Sequence, residues 1–237
     1  MAAIFRFKEF EVNQDQCAMK IGTDAVLLGA WINLNTHLYN SLDIGAGTGI
    51  IALQVAQRSN AQEIDALEVN DQAYEQCVEN FENSPWNDRL FCYHASLQEF
   101  VDEMDAAYNL IVSNPPFYEQ TAKAINARNQ ARFTQHLSFQ DLLFGVNQLL
   151  DEAGVFACVI PFQEQSKFIK LAKENNLFLH RICKVRGQPS SEFKRSLMEF
   201  KKHKPEEVQE EELTIELSRH NYTQEYINLT KDFYLKM

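Results

Sequence analysis

At 237 residues, with 45% apolar and 23% charged side chains, the chain is long enough for one large α/β domain and ordinary in make-up for a globular protein. It has no run of about 18 apolar residues, so no membrane span is expected. The start "MAAIFRFKEF" lacks the unbroken apolar core of a secretion signal, which points to the cytoplasm. A net charge of −11 argues against indiscriminate nucleic-acid binding, which needs many cations against phosphate.

In chain order, "IFRFKEFEV" (4–12) alternates apolar and polar residues and reads as a strand or hairpin arm. "GTDAVLLGAWI" (22–32) follows as an apolar helix entered through Thr23 or Asp24 as a cap. From residue 38 the pattern becomes strand, turn, helix. "YNSLDI" is a strand, Ile50 to Arg58 a helix, "EIDALEV" a strand, and Asp71 to about Phe81 a helix. "RLFCYHA" and "YNLIVSN" are further strands. A helix capped by Ser138, the strand "GVFACVIP", the helix "QEQSKFIKLAKEN" and three closing strands complete the chain. Strands alternating with helices imply a doubly wound, mostly parallel sheet, and the closing strands imply an antiparallel edge. No linker divides the chain. The reading is therefore a single domain over 1–237, with 1–36 as a strand and helix extension packed on it. The five cysteines are odd in number and without a C-x-x-C pair, so they read as packed thiols, and no metal site is expected.

Two motifs carry the chemistry. "LDIGAGTGI" joins a strand to a helix, and Gly45, Gly47 and Gly49 allow a tight turn and close approach of a ligand. Glu68 closes the next strand 23 residues after Gly45, where a carboxylate accepts two hydrogen bonds from a ribose diol. A dinucleotide fingerprint would place its third glycine where Ile50 stands. The second motif, Asn114-Pro115-Pro116-Phe117, follows the apolar run Leu110-Ile111-Val112. The proline pair ends that strand at its carboxyl edge, where open α/β sheets bind ligands.

Asp43 followed by G-x-G-x-G resembles the cofactor motif of class I S-adenosylmethionine-dependent methyltransferases. A dinucleotide enzyme and a purely structural glycine turn are the alternatives at this point. The resemblance implies a Rossmann-like fold with a mostly parallel seven-stranded sheet, helices on both faces, and S-adenosylmethionine as methyl donor. Asn114-Pro115-Pro116-Phe117 is similar to the (Asn/Asp/Ser)-Pro-Pro-(Tyr/Phe/Trp) motif of members that methylate planar amino nitrogens. The Asn114 amide oxygen and the Pro115 carbonyl accept hydrogen bonds from such an NH₂, and Phe117 offers a stacking face. No general base is needed before attack.

The substrate follows from a further resemblance. "FRFKEFEVNQDQCAMKIGTDAVLLGAW", "SNPPFYE", "ARFTQHLSFQDLL" and "KVRGQPSSEFKRSLMEF" are similar to bacterial tRNA1(Val) (adenine-N6)-methyltransferases, over about residues 5–202. That implies an adenosine at tRNA position 37 as target, tRNA as partner, no DNA or membrane partner, and a monomer. It implies cofactor contacts from Lys20, Thr23, Asp24, Asp43, Gly45, Gly47, Gly49, Glu68, Val69, Ser96, Leu97 and Asn114. Ser96 stands where many members carry an Asp that holds the cofactor's adenine amine. Lys123, Arg128 and Arg132, in the irregular stretch after the proline motif, are placed to grip phosphates. The basic tract 181–204 offers a second contact surface. The same motif also serves enzymes acting on ribosomal RNA or protein glutamine. A non-catalytic cofactor-binding module is the alternative from a different class.

Overall fold

The computed structural model describes residues 4–34, 38–115 and 137–237. Pro116, Phe117, Lys123, Arg128 and Arg132 lie outside these. The alternating N-terminal stretch folds as a hairpin, β1 (Phe5–Arg6) antiparallel to β2 (Glu11–Val12). Its apolar side joins the far end of the chain: Phe7 bridges Tyr234, and the Lys8 amide donates to the Phe233 carbonyl.

Helix α1 (Thr23–Trp31) is apolar all round, and every residue from Ala25 to Trp31 is buried. Its cap is Gly22, in extended backbone, with no side-chain cap bond. Thr23 and Asp24 are thus the first helical residues rather than caps, because the Asp24 carboxylate is turned to Arg195 instead of the helix amides.

The alternating units follow as β3 (Asn40–Ile44), α2 (Ile50–Arg58), β4 (Glu63–Leu67), α3 (Asp71–Glu82), β5 (Leu90–Tyr93), α4 (Leu97–Glu103) and β6 (Tyr108–Ser113). Beyond the undescribed stretch come α5 (Phe139–Leu149), β7 (Leu150–Pro161), α6 (Gln165–Glu174), β8 (Phe178–Arg186), β9 (Phe193–Lys201) and β10 (Gln209–Thr214). The chain closes with a small hairpin, β11 (Glu216–Ser218) and β12 (Asn221–Tyr222), and with α7 (Gln224–Thr230). Helix α4 is an element the periodicity did not disclose. Its signal is a capping box in which Ser96 and Glu99 each bond the other's backbone amide.

The strands order as β10-β8-β9-β7-β6-β3-β4-β5. The sheet has eight strands rather than seven, since the acidic stretch before residue 214 adds β10 alongside β8. The antiparallel strand is also not at an edge. β9 runs antiparallel between β7 and β8, and β8 and β10 run parallel to β7. The crossover through α6 sets β8 one strand away from β7, and β9 fills the gap as a hairpin return. Buried cores lie on both faces: Leu42, Ile44 and Ile111 belong to one, Leu110 and Val112 to the other. No helix among the described residues is long and apolar enough to cross a membrane.

Candidate active site

From β3 the sheet is built outward in both directions, to β4 and β5 on one side and to β6 and β7 on the other. This is the switch point where a crevice opens beyond the carboxyl ends of the strands. Register places Ile44 opposite Ser113, so the glycine turn after β3 and Asn114 after β6 emerge side by side. The Ser113 hydroxyl ties them by donating to the Ile44 carbonyl (2.8 Å). Asn114 is half-buried and Pro115 buried.

The turn itself is held by the end of β4. The amides of Gly45 and Ala46 donate to the Leu67 carbonyl at 2.9 and 3.0 Å. Glu68 accepts from the Gly47 amide (2.9 Å) through one carboxylate oxygen and from the Asn70 amide (2.8 Å) through the other. A carboxylate has about four acceptor positions, so Glu68 is oriented by the backbone and still free to accept from a diol.

All three glycines have positive φ: 74° at Gly45, 56° at Gly47 and 77° at Gly49. A Cβ at Gly45 or Gly47 would meet nothing within 4 Å, whereas one at Gly49 would lie 2.5 Å from Phe81 Cε1. The first two glycines therefore face open space, and the third packs on α3.

Asp43 lies beneath the turn, fully buried. Its Oδ2 accepts from the Ala52 amide (3.3 Å), and its Oδ1 finds no partner among the described residues. Burial, and to a lesser degree the charge of Glu68, push its carboxyl up to about 7. A half-satisfied buried carboxylate beside a second carboxylate suits a cationic ligand. The sulfonium and amino groups of S-adenosylmethionine fit that requirement, its ribose fits Glu68, and the open faces of Gly45 and Gly47 leave it room.

Other expected contacts divide. Val69 is exposed beyond β4, with a His94 ring nitrogen 3.2 Å from its carbonyl. The Ser96 hydroxyl donates to Glu99 (2.7 Å) and accepts the Glu99 amide, which leaves one lone pair for an amine. The Leu97 side chain is buried in the core against Gly145, which leaves only its backbone to make a contact. Lys20 and Thr23 are exposed. Asp24 pairs with Arg195 at 2.6 Å, a partner that sequence reasoning missed because 171 positions separate the two. Among the described residues no cluster of three or more His, Cys, Asp or Glu side chains is arranged to hold a metal ion.

The basic tract 181–204 is largely neutralised by its neighbours. Arg181 pairs with Glu211 (3.0 Å) and lies over the Trp31 ring (4.1 Å). Lys184 pairs with Glu210 (2.9 Å), Arg186 with Glu212 (3.4 Å) and Lys202 with Glu152 (3.2 Å). Lys194 is exposed and makes no ion pair with the described residues.

Along its whole length the chain is similar to known methyltransferases. The methyltransferase small domain model matches residues 19–160. A curated tRNA1(Val) (adenine(37)-N6)-methyltransferase of Flavobacterium johnsoniae is 53% identical over 99% of this chain and 100% of its own. The protein of that name from Trichodesmium erythraeum is 44% identical, over 98% of each chain. Among solved structures, a predicted O-methyltransferase from Agrobacterium tumefaciens shares the fold at a TM-score of 0.70 and 17% identity, over 89% of this chain and 96% of that one. On the match over the glycine turn and strand β6, and on identity along the whole length, the chain belongs to the methyltransferase small domain family.

Proposed function

We propose that the protein transfers a methyl group from S-adenosylmethionine to the N6 amine of an adenosine in tRNA, at position 37 of tRNA1(Val), in the cytoplasm and as a single-domain monomer. The observation that carries this is the pairing of Ile44 with Ser113. It sets Asn114 beside the glycine turn, which supports a reading in which the donor's methyl group would end next to it.

The bound donor supplies an electrophilic methyl carbon on sulfur. The chain's own residues deliver the nucleophile. An exocyclic amine is conjugated with its ring, so its lone pair is poorly available. The Asn114 amide oxygen and the Pro115 carbonyl accept its two N–H bonds, draw the nitrogen toward tetrahedral geometry and stabilise the positive charge that grows on it. Proline at 115 fixes φ and has no amide hydrogen to compete. Pro116 stiffens the same loop, and Phe117 stacks on the base, worth about 1–3 kcal/mol. Alignment of nitrogen, methyl and sulfur then provides most of the acceleration.

Glu68 would accept from the cofactor ribose, while Val69, the free lone pair of Ser96 and the Leu97 backbone would border its adenine. Lys20, Thr23 and Asp24 would hold its methionine end. Lys123, Arg128 and Arg132 hold phosphates of the tRNA, whose target adenosine must leave its stack. The relatives' shared name and the intact Asn114-Pro115 element support this reading over a non-catalytic module. Labelled methyl transfer to unmodified tRNA, ribosomal RNA and a release factor, assayed side by side, tests the substrate. Label in tRNA alone is expected; label in either other substrate would keep the chemistry and move the target.

A further inference from the structure

We infer that Asn80 of α3 is a positioning residue for the cofactor: its side-chain amide fixes the N-terminal segment 13–22 to the glycine turn and so sets the shape of the cleft before cofactor enters. The amide is almost wholly buried and bonds two segments remote from each other in sequence. Its Oδ1 accepts the Asn13 amide (2.8 Å), and its Nδ2 donates to the Asn13 carbonyl (2.9 Å) and to the Thr48 carbonyl (2.9 Å). Thr48 lies between Gly47 and Gly49, so one planar group grips the turn and the segment together.

Gln76, one helical turn earlier on the same face of α3, is a second anchor. Its Oε1 accepts the Gln16 amide (2.8 Å), and its Nε2 donates to Asp15 (3.2 Å). Glu79 adds a third by accepting from the Asn13 side chain (3.1 Å). The segment is then closed on itself, because buried Gln14 accepts the Ile21 amide (2.9 Å). Between these ties Cys17 is buried within reach of the Glu68 charge, which, after burial, is the next cause of its thiol's upward shift to about 11. From these ties on α3 the segment runs on to Lys20 and Thr23.

A side chain that merely filled the core would need none of this polarity. Three satisfied bonds on one buried amide, shared between two chain segments, specify their separation, since each orphaned partner is costly. Freed from Asn80, residues 13–22 would have to be ordered by the cofactor itself, and affinity would fall by that amount.

The inference presupposes that the glycine turn holds S-adenosylmethionine, as proposed above. The test compares wild type, Asn80→Ala and Gln76→Met for S-adenosylmethionine binding by calorimetry, for kcat and KM on tRNA, and for trypsin cleavage after Lys20 without cofactor. Asn80→Ala is expected to weaken cofactor binding about 10- to 100-fold, the range for orphaned buried groups. Its kcat at saturating cofactor should stay within roughly threefold of wild type, and Lys20 should become more readily cut. Gln76→Met should shift all three readouts in the same direction by less, and it decides the question if Asn80→Ala fails to fold. A folded variant with wild-type cofactor affinity overturns the inference. Absence of S-adenosylmethionine binding by the wild type instead overturns the functional reading on which it stands.

Discussion

Arg195 Nε lies 2.6 Å from Asp24 Oδ2, which joins the start of β9 to the first turn of α1 at the carboxyl edge of the sheet. Arg195 faces Pro161 across the β7–β9 ladder, so the bridge spans from the sheet to the helix that carries Thr23 and Asp24. Both side chains are about one-third exposed (35% and 30%), which limits the pair to about 0.5–1 kcal/mol of stability. Its positional effect should be larger than its energetic one. Arg195→Met is expected to lower Tm by about 1–4 °C and to weaken S-adenosylmethionine binding roughly threefold to tenfold, by freeing Asp24. Calorimetric titration beside a thermal melt checks it. A lowered Tm with unchanged affinity would reduce the pair to a brace.

Asp43 predicts a pH dependence with a definite sign. Its carboxyl is raised from 3.8 to about 7, chiefly by burial. The cofactor-free folded state therefore binds more protons than the unfolded chain between those values. The stability this confers is fully present below pH 3.8 and is lost as pH rises through about 7. Buried Asp65, raised to about 6 by burial and hydrogen-bonded to Tyr108, acts in the same direction away from the crevice. A cationic cofactor favours ionised Asp43, so S-adenosylmethionine should bind several-fold more tightly at about pH 8 than at about pH 6. In Asp43→Asn that difference should disappear while the Asp65 contribution to stability remains. A pH-independent affinity in the wild type would contradict the assignment.

Two glycines separate packing from ligand space. Gly49→Ala drives a Cβ to within 2.5 Å of Phe81 and 2.8 Å of Cys77 at a φ of 77°. Overpacking and left-handed strain together should cost about 2–4 kcal/mol and appear as a lower Tm. Gly47→Ala meets no protein atom within 4 Å, so its stability loss should be about 1 kcal/mol of backbone strain. Its methyl group instead points into the open space proposed for the cofactor, and its loss of S-adenosylmethionine affinity should exceed that of Gly49→Ala. The reverse order would place the cofactor elsewhere.

The charge ladder predicts where tRNA is not held. Lys184 and Arg186 are matched by Glu210 and Glu212. Reversing both to Glu should lower stability and change tRNA affinity by less than about twofold. Reversing Arg128 and Arg132 should weaken tRNA binding about tenfold or more, flatten its salt dependence and leave cofactor binding alone. Filter binding at two salt concentrations distinguishes the two surfaces.

Sequence disclosed those parts of the site that lie within one strand–turn–helix unit. The glycine turn, Glu68 and the end of β6 follow from local periodicity and turn chemistry, and each stands where it was expected. What it hid depends on pairing between distant segments. The basic tract looked like a free cationic face because its acidic partners follow in the next strand and meet it only through the β8–β10 register. The closing strands read as an antiparallel edge, but their order, with β9 between β7 and β8 and β10 outermost, is set by long-range pairing that nothing local states. Asp24 looked like a helix cap or a cofactor contact, and its partner Arg195 lies beyond any local window. Ser96 carried a legible signal of another kind: with Glu99 it spells a helix start, and that start uses most of its hydroxyl's bonding capacity.

The most direct test of the central claim is the nucleoside produced in unmodified tRNA by wild type and by Asn114→Ala, each with S-adenosylmethionine binding measured in parallel. N6-methyladenosine at position 37 is expected with the wild type. A loss of at least about 100-fold in kcat is expected with Asn114→Ala, the scale of removing one transition-state hydrogen-bonding group, at near-normal cofactor affinity. Methyl transfer by Asn114→Ala at the wild-type rate, or a methyl group on any atom other than adenine N6, would contradict that claim.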